Sequence, residues 1–413
     1  MEDLLERIDS LEARFGETEP EIHAYLPELH RFLRLRKEAQ EFSRRYPKNR
    51  ERPPLFGLLT GIKDIFRVDG FETRAGSRLP AETFAGAEAS SVAALRAAGA
   101  LVVGKTVTTE FAYFGPGPTR NPRNPAHTPG GSSSGSAAAA AAGLCDFALG
   151  TQTIGSINRP AAFCGIFGFK PSFDRIPKDG VIPLAPSFDH VGILTGDLKI
   201  AETVAAVLCQ GWQPVKSGRK PRLGIPTGAY LDQADPTGLR HFEETTTRLK
   251  KSGHFIREMA TLPDFESVRD RHRKVLAFET ARVHRAWYDA YADRYHEKTR
   301  ELIEQGLRID QEDYNALLEE TQRYRLTMRK FPSLFEIDAW VTPSAPGTAP
   351  AGLDSTGDPI MNLPWTQAGL PTLTLPTGTG PNGLPLGTQL VGGWYGDEHL
   401  FRIADAVLES LNR

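Results

Sequence analysis

The sequence is short of several things. It has three cysteines in 413 residues, Cys145, Cys164 and Cys209, and none forms a CxxC pair. An odd number at these spacings argues against a disulfide framework or a cysteine zinc site; buried reduced thiols and a cytoplasmic location are the expectation. Charge of one sign is also lacking. Lys+Arg number 49 and Asp+Glu 51, a net charge of −2, so no basic excess is available to hold nucleic acid. No apolar run reaches the roughly 18 residues of a membrane-spanning helix. The first segment, MEDLLERIDSLEARF, is charged and amphipathic and does not read as a secretion signal. The ten histidines are scattered and never fall in HExxH or similar metal-ligand spacing. Neither a metal nor a cofactor is expected.

What is present suits a globular enzyme. Hydrophobic residues make up 40% and charged residues 24%, ordinary values for a chain that builds one large core. Helical stripes run over residues 2–15 and 20–45, the second through Ile22, Tyr25, Leu26, Leu29, Phe32 and Leu33. A buried strand is expected from Leu58 to Phe66, a helix from Ser90 to Ala98 and a strand over 101–105. The Pro- and Gly-rich loop 106–125 carries Glu110, Phe111, Tyr113 and Phe114, as fit to line a pocket as to pack in the loop. Residues 211–331 are polar, with charged helical patterns at 265–292 and 311–330. The segments LGIP, AWVTP, PTLTLP and GTQLVGG supply later strands. No repeat or clean linker divides the chain. The expected fold is a single α/β domain, with a central mixed sheet covered by helices on both faces.

The stretch from Gly130 to Lys170 organises the rest. It holds two glycine-flanked turns, with Ser132 in the first and Ser156 in the second, 24 residues apart. Between them lie a helix of six alanines, Ala137 to Ala142, and a short apolar strand. Glycine turns can aim backbone N–H groups at one point. Ser132 to Ser134 stand where N-cap residues belong, at the positive end of the helix dipole. A flexible linker would not feed straight into apolar elements. A P-loop would close on Lys-Ser/Thr where Gly143-Leu144 stands, and Ser156 is not in a GxSxG elbow. Upstream, Lys63 sits in the apolar run LLTGIKDIF. Burial there disfavours the charged form and leaves an amine able to take a proton. Asp189 and His190 are adjacent on an extended segment, point to opposite faces and cannot pair as a triad.

These residues carry a family resemblance. GGSSSGSAAAAAAG and GTQTIGSINRPAAFCGIFGFKPS resemble the two serine motifs of the amidase signature family of serine hydrolases, and LLTGIKDIF resembles its lysine segment. DRIPKDGVIPLAPSFDHVG and NLPWTQAGLPTLTLPTG continue the likeness, which therefore covers nearly the whole chain. The resemblance implies one amidase domain over 1–413. Within it, 1–50 would be N-terminal helices, 51–205 the signature core, and 206–413 a helical substrate-side region with C-terminal strands. It implies a Ser–cis-Ser–Lys triad, with Ser156 as nucleophile, Ser132 as bridging serine and Lys63 as base. Backbone N–H groups of Thr153, Ile154, Gly155 and Ser156 would form the oxyanion hole. Phe111, Tyr113, Ser133, Gln152 and Trp365 are candidate substrate contacts.

Three positions depart from the family pattern: Ser134 and Ile154 stand in place of glycines, and Gln152 where many members have aspartate. Ile154 falls in the oxyanion loop, where a β-branched residue resists positive φ. The resemblance implies a small-molecule amide as substrate, without cofactor, nucleic acid or membrane, and leaves a homodimer open. Hydrolysis of a linear carboxylic amide is the leading expectation. An amidotransferase subunit that hands ammonia to a partner enzyme is the alternative.

Overall fold

The computed structural model describes residues 4–216, 218–262 and 264–412 and, of residue 331, the backbone only. Ten strands form one sheet: β1 (Leu59–Lys63), β2 (Leu101–Thr106), β3 (Phe147–Gln152), β4 (Phe167–Lys170), β5 (His190–Thr195), β6 (Leu223–Pro226), β7 (Ile256–Met259), β8 (Ala339–Pro343), β9 (Thr372–Thr379) and β10 (Pro385–Gly392). Their order is β2-β1-β3-β5-β4-β9-β10-β8-β6-β7. β1 is parallel to β2 and β3, and β6 to β7 and β8. The strands between them, β3 to β8 in sheet order, pair antiparallel, so the sheet is mixed.

Twelve α-helices among the described residues accompany it: α1 (Leu4–Ile22), α2 (Arg31–Arg45), α3 (Ser90–Ala97), α4 (Ser134–Ala141), α5 (Asn158–Cys164), α6 (Leu198–Leu208), α7 (Pro236–Lys251), α8 (Phe265–Tyr291), α9 (Glu297–Gly306), α10 (Gln311–Leu334), α11 (Leu363–Ala368) and α12 (Asp397–Leu411). Strand side chains alternate between faces, and both faces here are apolar. Phe147, Leu149, Ile193 and Val102 join a core cluster with Val92 of α3, Val204 of α6 and Leu400 of α12. Ala148, Leu194, Leu101 and Val103 join another with Ile8 of α1, Leu35 of α2 and Ala137–Ala140 of α4. The alanine side chains let α4 lie close against β1, β3 and β5. Among the described residues, no helix is long and apolar enough to cross a membrane.

The helical stripe expected over 20–45 is broken. Residues between α1 and α2 leave the helix, with His23 and His30 at positive φ. Tyr25 makes a β-bridge to Thr106, and Leu26 N–H donates to Lys105 O at 2.9 Å. Pro27 cannot continue a helix, and the segment instead pairs with the edge strand β2. The expected strand from Leu58 to Phe66 ends at Lys63, because Ile65 and Phe66 N–H groups turn back onto Lys63 O.

Just past that turn, the end of β1 is tied down by an ion pair. Lys105 Nζ lies 2.8 Å from Asp64 Oδ1, with both side chains almost fully buried. Lys105→Met leaves the Asp64 carboxyl buried without its cation. It should destabilise the fold by about 3 kcal/mol or more, and Asp64→Asn in that background should recover part of the loss, as read by denaturant unfolding.

Candidate active site

Lys63 is the last residue of β1 and has no solvent exposure. The parallel register sets Ile62 opposite Leu149 of β3, so the lysine side chain reaches the end of β3. Its Nζ lies 2.7 Å from Ser132 Oγ, 2.8 Å from Thr151 Oγ1 and 3.2 Å from Ser133 Oγ. Burial holds its pKa well below the usual lysine range, against a smaller opposing pull from Asp189.

Ser133 is the N-cap residue of α4, yet its side chain makes no capping hydrogen bond. Its hydroxyl donates to Thr151 O at 3.2 Å and accepts from Thr151 N–H at 3.3 Å. With its one proton spent on a carbonyl, it can only accept from Lys63. Ser133 therefore steadies the lysine and, fully buried, has no surface to offer a substrate.

The Gly131–Ser132 peptide is cis. Arg159 of α5 joins this turn to its surroundings: Nη2 donates to Gly131 O at 2.6 Å and to Thr356 Oγ1 at 3.2 Å, and Nη1 to Gly357 O at 2.5 Å. Both serine turns press against the 355–362 segment. A β carbon on Gly131 would fall 2.7 Å from Thr356 Cγ2, and one on Gly155 would fall 2.4 Å from Asn362 Oδ1. Only glycine fits at either place.

The loop from Thr153 to Ser156 links β3 to α5, and its outward groups are held. Gln152 Oε1 accepts from the N–H groups of Ile157 and Asn158 at 2.8 and 3.0 Å, capping α5. Thr153 Oγ1 donates to Asp189 Oδ1 at 2.5 Å, and the other Asp189 oxygen accepts from Leu184 and Ala185 N–H. Burial pushes the Asp189 carboxyl up to about 6. Ile154 O accepts from Thr366 Oγ1 at 2.6 Å, and Thr153 O lies 3.1 Å from His272 Nε2. The Thr153 and Ile154 carbonyls are thus each engaged by a side chain of α8 or α11. Among the described residues, the N–H groups of Ile154, Gly155 and Ser156 donate to no protein acceptor. Such a row of free donors beside a hydroxyl suits a developing oxyanion.

Several expected substrate contacts lie elsewhere. Trp365 is fully buried, its indole donating to Tyr230 Oη at 3.0 Å and its ring packed on Trp340. Phe111 is buried among Phe84, His284, Trp287 and Tyr295, and Glu110 accepts from His296 N–H before α9. Gln152 is spent on its cap and on Thr366. The common reason is that each has its apolar surface or polar atoms satisfied inside the protein. Tyr113 and Phe114 are different. They pack on each other at 4.7 Å between ring centroids and line a cleft of about 470 Å³ with α9 and residues 355–359. Two of its lining residues, Thr356 and Pro359, also lie against the serine turns, at Gly131 and Gly155. A second, mostly apolar cavity of about 180 Å³ is lined in part by Thr151, Thr153 and Asp189.

His190 is buried with Nδ1 2.6 Å from Phe188 O, while the Asp189 carboxylate is bound as described, so the two form no relay. Sequence reasoning missed Arg159, Thr366 and His272 and gave Asp189 no role. Arg159 and Thr366 lie inside the recognised segments GSINRPA and NLPWTQAG, where they were available to be found. His272 lies in a charged helix with nothing in its neighbours to mark it.

The chain is similar to known proteins over most of its length. A family model described as Amidase matches residues 8–401. A glutamyl-tRNA(Gln) amidotransferase subunit of Koribacter versatilis is 30% identical over 412 residues, covering 87% of this chain and 85% of that one. The corresponding subunit of Symbiobacterium thermophilum is 32% identical over 454 residues, covering 97% and 92%. Among solved structures, a crystal structure of an amidase has a TM-score of 0.88 at 30% identity, covering 99% of this chain and 96% of that one. The native peptide amidase of Stenotrophomonas maltophilia has a TM-score of 0.81 at 25% identity, covering 100% and 94%.

Ser133→Ala removes one acceptor from the lysine. An ammonium loses more from this than an amine does, so the Lys63 pKa should fall further. The acid limb of any lysine-dependent activity should then move to lower pH, as read from the pH profile of kcat/KM beside wild type.

Proposed function

Because the chain belongs to the amidase family, we propose that it cleaves a carboxylic amide C–N bond through an acyl-enzyme on Ser156. The observation that carries this reading is a buried lysine amine, its pKa held well below the usual lysine range by burial, 2.7 Å from the Ser132 hydroxyl. Lys63 is the base and Ser132 the relay. Serine is a weak nucleophile at its own pKa and needs such a base.

Each step balances. Lys63 Nζ takes the Ser132 proton as Ser132 takes the Ser156 proton, and Ser156 Oγ bonds to the amide carbon. The carbonyl oxygen becomes an oxyanion held by N–H groups of the 153–156 loop. The new ammonium is held by Ser132, Ser133 and Thr151. As the tetrahedral adduct collapses, the C–N bond breaks and the relay returns the proton to the departing nitrogen. Water then gives one proton to the relay and its hydroxyl to the acyl carbon. Ser156 leaves with that proton, and the carboxylic acid is released. The cleft bordered by Tyr113 and Phe114 admits a small-molecule amide.

A second reading has specific support: the amidotransferase relatives described above match most of this chain at 30% and 32% identity. The chemistry would be the same, with ammonia passed to a partner enzyme. The purified chain turning over amides unaided, with no chain copurifying from native cells, supports the hydrolase. Glutamine hydrolysis that appears only with copurified partners supports the amidotransferase.

A fluorophosphonate probe should label Ser156 and leave Ser156→Ala unlabelled; labelling of Ser132 instead would reverse the two serine roles. The kcat/KM should rise with pH through the lowered Lys63 pKa and then level, because the protonated amine cannot accept. Lys63→Met should lose about 10³-fold or more in kcat, whereas His190→Gln should keep most of the activity.

A further inference from the structure

We propose that His272 is a positioning residue for the oxyanion loop: its ring N–H holds the Thr153 carbonyl turned away from the site, so that the loop N–H groups face inward. The proposal rests on the acyl-enzyme reading above and extends it to a residue of α8 outside the serine motifs.

A carbonyl oxygen only accepts, so the 3.1 Å contact between His272 Nε2 and Thr153 O fixes the tautomer with the proton on Nε2. The ring is buried and stacks on Phe188 at 4.0 Å and 12°. Its Nδ1 has no partner among the described residues, so a second proton there would be unpaired. Burial together with the charges of Arg325 and Arg271 pushes its pKa down to about 3. The imidazole is then a neutral donor around pH 7.

The mounting is rigid. Arg271, the preceding residue, donates twice to Gln367 Oε1, at 2.7 and 3.0 Å, and Gln367 Nε2 donates back to Val268 O at 2.9 Å. Gln367 follows Thr366, which holds the next carbonyl of the loop, Ile154 O. Two helices distant in sequence are clamped together, and from them two donors reach consecutive carbonyls. A peptide plane whose oxygen is fixed outward presents the N–H of the following residue inward. Thr153 O fixes the N–H of Ile154, and Ile154 O fixes that of Gly155. Without the first donor, the Thr153–Ile154 peptide is free to rotate and the Ile154 donor loses its aim.

The test compares His272→Phe, which keeps an aromatic on Phe188 but lacks the donor, with His272→Gln, whose amide can donate to the same oxygen. The readout is the rate at which a fluorophosphonate labels Ser156, since its phosphoryl oxygen needs the same donors. His272→Phe should slow labelling by about 10- to 100-fold. His272→Gln should restore it to within about threefold, and both should melt close to wild type. The acid limb of the labelling pH profile should stay in place, because His272 touches the loop and not Lys63. Unchanged labelling in His272→Phe, equal losses in both variants, or a displaced acid limb would overturn the proposal. If His272→Phe does not fold, His272→Leu replaces it; failure of both while His272→Gln folds places His272 in packing and also overturns it. Wild-type enzyme that is not labelled at Ser156 would instead sink the acyl-enzyme reading, whatever the variants do.

Discussion

Everything in the site depends on a lysine amine kept out of water. An ammonium ion moved into a protein interior loses several kcal/mol of hydration. Among the described residues, no carboxylate touches Lys63 Nζ to offset that cost; its near neighbours are three hydroxyls. Asp189 favours the ammonium only from a distance, and burial outweighs it. The result is an amine that gives up its proton more readily than an ordinary lysine, at the end of a strand that is paired on both sides and held by the Asp64–Lys105 ion pair.

The rest of the architecture brings groups to that amine. The alanine helix packs against the same strands and begins where Ser132 and Ser133 are needed. Its first turn gives up a normal side-chain cap so that Ser133 can hold the lysine. The second serine turn is organised the opposite way, from outside. Asp189, His272 and Thr366 each take hold of a group on its far side, which leaves the backbone donors free. One turn is positioned by what faces the site and the other by what faces away from it.

This division explains which parts of the molecule could be read from the chain. Elements with a strong local pattern were legible: β2, α3, α8 and the apolar strands β8 and β9 fall close to the segments that suggested them. Lys63, Ser132 and Ser156 stood out because glycine turns and an apolar lysine run are local signals. The break between α1 and α2 was not legible, because pairing with β2 overrides a helical stripe. Trp365 and Phe111 misled for a related reason, since an aromatic near a motif reads the same whether it lines a pocket or fills a core. His272 was invisible because its role is set entirely by where α8 meets α11.

The account stands or falls on the protonation of Lys63. Its most direct measure is a pH titration of the lysine side-chain nitrogens by NMR on ¹⁵N-lysine-labelled protein, with Lys63→Met used to assign the resonance. Lys63 Nζ should lose its ammonium signal well below the pH at which the surface lysines titrate. An Nζ that stays an ammonium up to the ordinary lysine range, about 10.4, would contradict it.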